Sequence, residues 1–259
     1  MTAAEAEANQ LTYVSVEEAI AMPGLRLALS QGRPSPWGFG ARAILELKKI
    51  PFTAVTQISG QPNEELKRWT GQVSAPVAMF EDERPRTSWS ELILLAERLA
   101  PEPSVVPLDA DERAQMFGLC HELLGEEGLG WTLRLIIVAS REAAGANMDA
   151  MLRKYGPPKK VEDPWVRANA IVAMFAKRLE AQRTLGRWTL VGDRLSAVDF
   201  YWTGFSNLIR PMPESAMISH PQFQEMAAFY AQHMDPIPDI LIEHRDRVMR
   251  DYVRTPMRF

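Results

Sequence analysis

The sequence predicts a small α/β domain over about the first hundred residues, followed by a larger all-helical one. Three observations carry that expectation. Strand-like apolar runs occur only before residue 100, helical periodicity dominates from residue 110 to 252, and Pro101-Glu102-Pro103 reads as a linker where the patterns change. The boundaries expected are 1–100, including an N-terminal extension over 1–24, and 104–259; a chain of 259 residues is long enough for two cores.

Taken in order, Leu25-Arg26-Leu27-Ala28-Leu29-Ser30 follows Pro23-Gly24 and suits a short strand. Ser35-Pro36 is a helix-start signal, because Ser can cap free amides and Pro is preorganised for the first helical position. Trp37, Ala41, Ile44 and Leu45 recur at helical spacing, Lys48-Lys49 suits the negative end of the dipole, and Ile50-Pro51 stops the helix. A second strand over 52–57 follows at once, and a crossover of this length makes the two strands parallel. Residues 63–70 read as a short exposed helix and 73–80 as a third strand. Glu81-Asp82-Glu83-Arg84 reads as a hairpin tip, with Pro85-Arg86-Thr87 as a brief antiparallel return. Ser88-Trp89-Ser90-Glu91 matches a capping box ahead of Leu92, Leu95, Ala96 and Leu99. The sum, βαβ, short helix, hairpin and closing helix, is the thioredoxin-like arrangement. Beyond it, helices are expected over 110–140, 144–155, 163–184, 196–209, 220–233 and 238–252, with prolines at 157–158, 211, 213, 236 and 238 between them.

Composition excludes several classes. A net charge of −4, from 29 basic and 33 acidic residues that are intermixed, argues against a nucleic-acid binder, which needs a concentrated positive patch. The longest apolar run, Leu135 to Ala139, is far short of the roughly 20 residues that cross a bilayer. The acidic N-terminus has no export-signal pattern, and the single cysteine, Cys120, forms neither an intrachain disulfide nor a CxxC motif, so a cytoplasmic protein is expected. No metal site is expected: His121-Glu122 lacks the second His of an HExxH motif, and His220, His233 and His244 are spaced too widely. Cys120 and His121 are adjacent on a helix and point about 100° apart, a poor nucleophile–base pair. Trp131, Trp202, Phe205 and the thirteen methionines read as core or as the lining of an apolar pocket.

Two landmarks give the chain a resemblance to the cytosolic glutathione S-transferases over about residues 25–255. One is the set Ser35-Pro36, Ala75-Pro76-Val77 and Thr87-Ser88; the other is Leu190-Val191-Gly192-Asp193-Arg194-Leu195-Ser196-Ala197-Val198-Asp199, similar to the family's helical-domain signature. The resemblance implies a thioredoxin-like domain followed by an all-helical one, glutathione as co-substrate, a small hydrophobic electrophile, and a homodimer. It implies that Ser35 faces the glutathione sulfur. A free thiol has a pKa of about 8.5, so a hydroxyl donor and a helix N-terminus both favour the reactive thiolate; the other reading of Ser35 is a plain N-cap. Gly38 stands where cysteine-type members carry their thiol, which disfavours mixed-disulfide chemistry. The resemblance further implies a cis Pro76, with Ala75 offering its main chain to the tripeptide, and Ser88, with Ser90 as the alternative, binding the γ-glutamyl carboxylate through its hydroxyl and a helix-start amide. Thr87 departs from the Glu or Gln that relatives place before that serine to hold the ligand's ammonium, which leaves Glu91 or a second subunit to substitute. Ser196 and Asp199 read as a structural cap. The function expected is conjugation, substitution or ether cleavage by glutathione thiolate; the alternatives are a glutathione-binding or structural protein without turnover, or a glutathione-dependent isomerase or lyase.

Overall fold

A β-branched and aliphatic run flanked by turns forms a strand only where a neighbour pairs with it, and here one sheet collects four. In the computed structural model, which describes residues 9–156, 163–218 and 221–259, the order is β1 (Tyr13–Val14), β3 (Thr53–Gln57), β2 (Leu25–Ser30), β4 (Val77–Phe80). The Pro157-Pro158 break and His220, the first residue of the 220–233 helix, lie outside the described residues. β2 and β3 are parallel, as the crossover length predicts, with Arg26 opposite Thr53 and Ser30 opposite Gln57; β4 is antiparallel to β2.

The return over 85–87 is brief and antiparallel, as expected. It makes a single bridge, Arg86 to Ala78, because Pro85 has no amide to donate and the Thr87 amide is turned to the Glu91 carboxylate. Periodicity assigns no element ahead of residue 25, yet β1 extends the sheet beyond β3 in parallel, and α1 (Val16–Ile20) follows it. The reciprocal bonds between Ser15 and Glu18 start α1.

Alternation along the strands divides the core in two. Ala28, Val55 and Val77 pack under Val16 and Ala19 of α1 and Leu66 of α3 (Glu64–Thr70). Leu25, Leu27 and Leu29 point the other way, toward α2 (Pro36–Leu47), α4 (Trp89–Leu99) and the helical domain.

That second domain holds α5 (Ala110–Leu124), α6 (Leu129–Ala143), α7 (Asp149–Tyr155), α8 (Pro164–Thr184), α9 (Ala197–Ile209), α10 (Pro221–Ala231) and α11 (Asp239–Tyr252). The single helix expected over 110–140 is two. At Gly128 a Cβ would lie 2.7 Å from the main-chain oxygen of His121, so the chain doubles back there only on glycine, with Glu127 at a φ of 64°. No helix among the described residues is long and apolar enough to cross a membrane.

α9 is buried along its whole length and packs on α2 through two glycines. A Cβ on Gly40 would fall 2.2 Å from Cδ1 of Tyr201, and one on Gly204 2.9 Å from Cδ1 of Phe39. Tyr201 is fully buried and has nowhere to retreat. Gly40→Ala is therefore expected to destabilise the protein by about 2–3 kcal/mol or more, read as a lower denaturation midpoint; an unchanged midpoint would mean the two domains slide past each other freely.

After α11 the chain returns to the first domain. The buried Arg42 of α2 donates to the main-chain oxygen of Arg258, to that of Asn9 at 3.1 Å and to Glu46 at 2.6 Å, and its guanidinium lies over the Phe259 ring. The Gly32 amide donates to the Phe259 main-chain oxygen at 2.9 Å. One cation thus gathers both ends of the described chain beside the loop that precedes α2.

Candidate functional site

Strand register runs two local motifs of the first domain, Ala75-Pro76 and Thr87-Ser88, toward the carboxyl end of β2. Val77 lies opposite Ala28, so Pro76 and Ala75 continue alongside Leu29 and Ser30 at the carboxyl end of β2. Arg86 bridges Ala78, so Thr87 and Ser88 continue alongside Val77 and Pro76. Ser35 follows the same end of β2 by five residues. The Ala75–Pro76 bond is cis. Sequence reasoning missed the residue that holds this edge together. The Gln57 side chain accepts from the Ser30 hydroxyl at 2.7 Å and donates to the Val73 main-chain oxygen at 3.1 Å, tying the loop before Ala75 to the ends of β2 and β3. An isolated Gln at a strand end carries no sequence signal for that.

Ser35 is the N-cap residue of α2, with extended backbone (φ −64°, ψ 131°) and half-buried. Its hydroxyl makes no capping bond, and the first turn holds no acidic side chain. Among the described residues, a helix of twelve residues therefore ends in free amides beside a hydroxyl that does not cap them, which is the electrostatic setting for an anion. A Cβ built on Gly38 would lie 3.8 Å from the Ser35 Cβ, 3.8 Å from Cε1 of Phe259 and 3.2 Å from Cδ2 of Leu29. Ser35 and the Phe259 ring thus flank the same glycine. A cavity of about 450 Å³ opens beside this loop, lined by Tyr13, Gln31, Gly32, Arg258 and Phe259 among others. Burial pushes the Tyr13 hydroxyl up to about 12, partly offset by Arg42, so it remains a neutral donor.

Ser88 caps α4, as its sequence pattern predicts: its hydroxyl accepts from the Glu91 amide at 3.3 Å. The Glu91 carboxylate folds back in return. Its Oε2 accepts from the amides of Thr87 (3.0 Å) and Ser88 (3.2 Å) and from the Ser88 hydroxyl (3.2 Å), and its Oε1 accepts from Arg84 at 2.5 Å. Burial alone would raise the carboxyl pKa, but Arg84 and the two amides outweigh it and bring it to about 2. The folded value is below the usual 4.5, so this cap stabilises α4 fully above pH 4.5 and loses its contribution as pH falls toward 2. Helical signal followed from pH 6 to pH 2 should show that loss; a Glu91→Gln protein should not. Ser90 sits 3.2 Å from the Ser88 hydroxyl, and Thr87 is exposed.

Most of the remaining candidates fall in the core. Asp199 is fully buried and accepts from the Leu190 amide (2.8 Å), the Ser196 amide (2.8 Å), the Ser196 hydroxyl (2.9 Å) and lies 2.9 Å from Nε2 of His244. Cys120 is buried and its thiol is pushed up by burial and by the Asp199 carboxylate, whereas its neighbour His121 is exposed; the two form no pair. Trp202 and Phe205 are wholly buried, and the Trp131 indole donates to the main-chain oxygen of Tyr155.

No family model matches the chain, and no curated protein matches it. Solved structures do. A glutathione S-transferase from Methylobacillus flagellatus with glutathione bound is 12% identical at a TM-score of 0.63, over 90% of this chain and 98% of that one. A glutathione S-transferase from Methylobacterium radiotolerans, in complex with glutathione sulfonate, is 19% identical at 0.54, over 91% and 95%. A β-etherase from Sphingobium is 16% identical at 0.62, over 90% and 98%. With a thioredoxin-like sheet, a helical second domain and these neighbours over nine-tenths of its length, the chain has the glutathione S-transferase fold.

Proposed function

We propose that the protein activates glutathione as its thiolate for attack on a hydrophobic electrophile, by conjugation, substitution or ether cleavage. The observation that carries this reading is the Ser35 hydroxyl at the tip of α2, which makes no capping bond. A serine that merely capped the helix would spend its oxygen on the helix amides; this one is left to donate to a sulfur, while the amides of the first turn favour the sulfur's negative charge. Glutathione would lie along the edge formed by Ala75, Pro76, Thr87 and Ser88, its cysteinyl main chain pairing with Ala75 and its γ-glutamyl carboxylate meeting the Ser88 hydroxyl and amide. The second substrate would enter from the side of the helical domain, and the cavity beside Gly32 offers it space against the Tyr13 and Phe259 rings. The β-etherase among the structural neighbours keeps ether cleavage within this range of reactions. The resemblance extends the reading to a cytoplasmic homodimer.

A second reading, a scaffold that binds glutathione without turnover, draws on Thr87 in place of an acid and on the Glu91 carboxylate already resting on the Ser88 donors. The two separate in one experiment. Retention on immobilised glutathione together with turnover of an aromatic halide supports the enzyme, retention without turnover of any halide or aryl ether supports the scaffold, and no retention with no thermal shift at millimolar glutathione contradicts both.

A further inference from the structure

The donors that would receive a ligand carboxylate at the start of α4 already hold one from the chain itself. Three of them converge on a single oxygen, Oε2 of Glu91: the amides of Thr87 and Ser88 and the Ser88 hydroxyl, at 3.0, 3.2 and 3.2 Å. The arrangement shows what this corner selects, namely a carboxylate oxygen at the positive end of an eleven-residue helix. Two carboxylates cannot share it, because like charges at hydrogen-bonding distance repel and the donors are already satisfied.

We propose that Glu91 is an internal competitor for the γ-glutamyl carboxylate, so that the tripeptide docks only when the Glu91 side chain swings aside. This deepens the proposed function and rests on its glutathione reading. The Arg84 side chain is 69% exposed and the Glu91 side chain 27%, so the pair can rotate toward solvent together with their 2.5 Å contact kept. Ser88 would still accept from the Glu91 main-chain amide, so the helix keeps a cap while its side-chain anion is exchanged for the ligand's. With its pKa held near 2, Glu91 competes as an anion throughout the neutral range. Glu91 thereby sets the affinity of the site as a positioning residue, without touching the reacting sulfur.

The test is calorimetric titration of the wild-type, Glu91→Gln and Glu91→Ala proteins with glutathione, and with the analogue γ-aminobutyryl-cysteinyl-glycine, which lacks the γ-glutamyl carboxylate. Both variants, checked for native circular dichroism, are expected to bind glutathione about 10-fold more tightly than wild type, as fits removal of a charge-assisted competitor. Binding of the analogue should not tighten. Unchanged or weaker glutathione binding by the variants, or an equal gain with the analogue, overturns the competitor role and leaves the glutathione reading standing. Absence of glutathione binding in all three proteins overturns both. A residue that only capped α4 would lower the melting temperature when replaced and leave both affinities where they were.

Discussion

Ser35→Ala is expected to lower kcat/KM for glutathione conjugation by about 10- to 100-fold while leaving the melting temperature almost unchanged. A hydrogen bond to a charged partner contributes about 1.5–3 kcal/mol, and each 1.4 kcal/mol is tenfold in rate. The unchanged stability is the distinctive half. Replacing a serine that caps a helix typically costs about 1 kcal/mol, but the Ser35 hydroxyl makes no capping bond, so its removal orphans no amide. A variant that lost a few degrees of melting temperature and no activity would assign Ser35 to the helix and not to the chemistry. Steady-state kinetics with an aromatic halide and a thermal melt of the same sample decide it.

Asp199→Ala is expected to produce the largest loss of stability, about 3–5 kcal/mol in chemical denaturation. The carboxylate is fully buried, and its removal would leave the amides of Leu190 and Ser196 and the Ser196 hydroxyl without acceptors. It would also strip His244 of its contact at Nε2, when Nδ1 already has no partner among the described residues. Asp199→Asn should cost less, because one amide oxygen can still accept. A loss below about 1 kcal/mol for the alanine variant would show that the start of α9 is held by packing alone. Activity per folded molecule should change little, since Asp199 lies in the core of the helical domain.

What could be read from residues was the local part. The β2–α2–β3 unit follows from a turn, a Ser-Pro start, an amphipathic stretch and a stop, all within 33 consecutive positions, 25–57. β1 was not legible, because a strand of two residues has no period and exists only by pairing with β3. α1 did leave a signal, the Ser15-x-x-Glu18 box, but five residues hold too little periodicity to weigh it. The break between α5 and α6 was hidden because apolar spacing continues across it, and the need for glycine at 128 arises from a main-chain oxygen seven residues earlier. At the candidate site, Ser35, Ala75-Pro76 and Ser88 could be named as short motifs, and strand register carries the last two toward one edge. The Gln57 tie and the Arg42 clamp on Asn9 and Arg258 join residues far apart in the chain and become visible only once it has folded. Glu91 was visible as half of a capping box, yet not as a carboxylate lying on the donors a ligand would use.

The most direct test of thiolate stabilisation at the tip of α2 is an ultraviolet titration of glutathione bound to the wild-type protein and to Ser35→Ala. The bound thiol is expected to ionise about 1 to 2 pH units below the free value near 8.5, with most of that difference lost in the variant. A bound thiol that ionises at the free value in the wild-type protein, or one lowered equally in both, would contradict it.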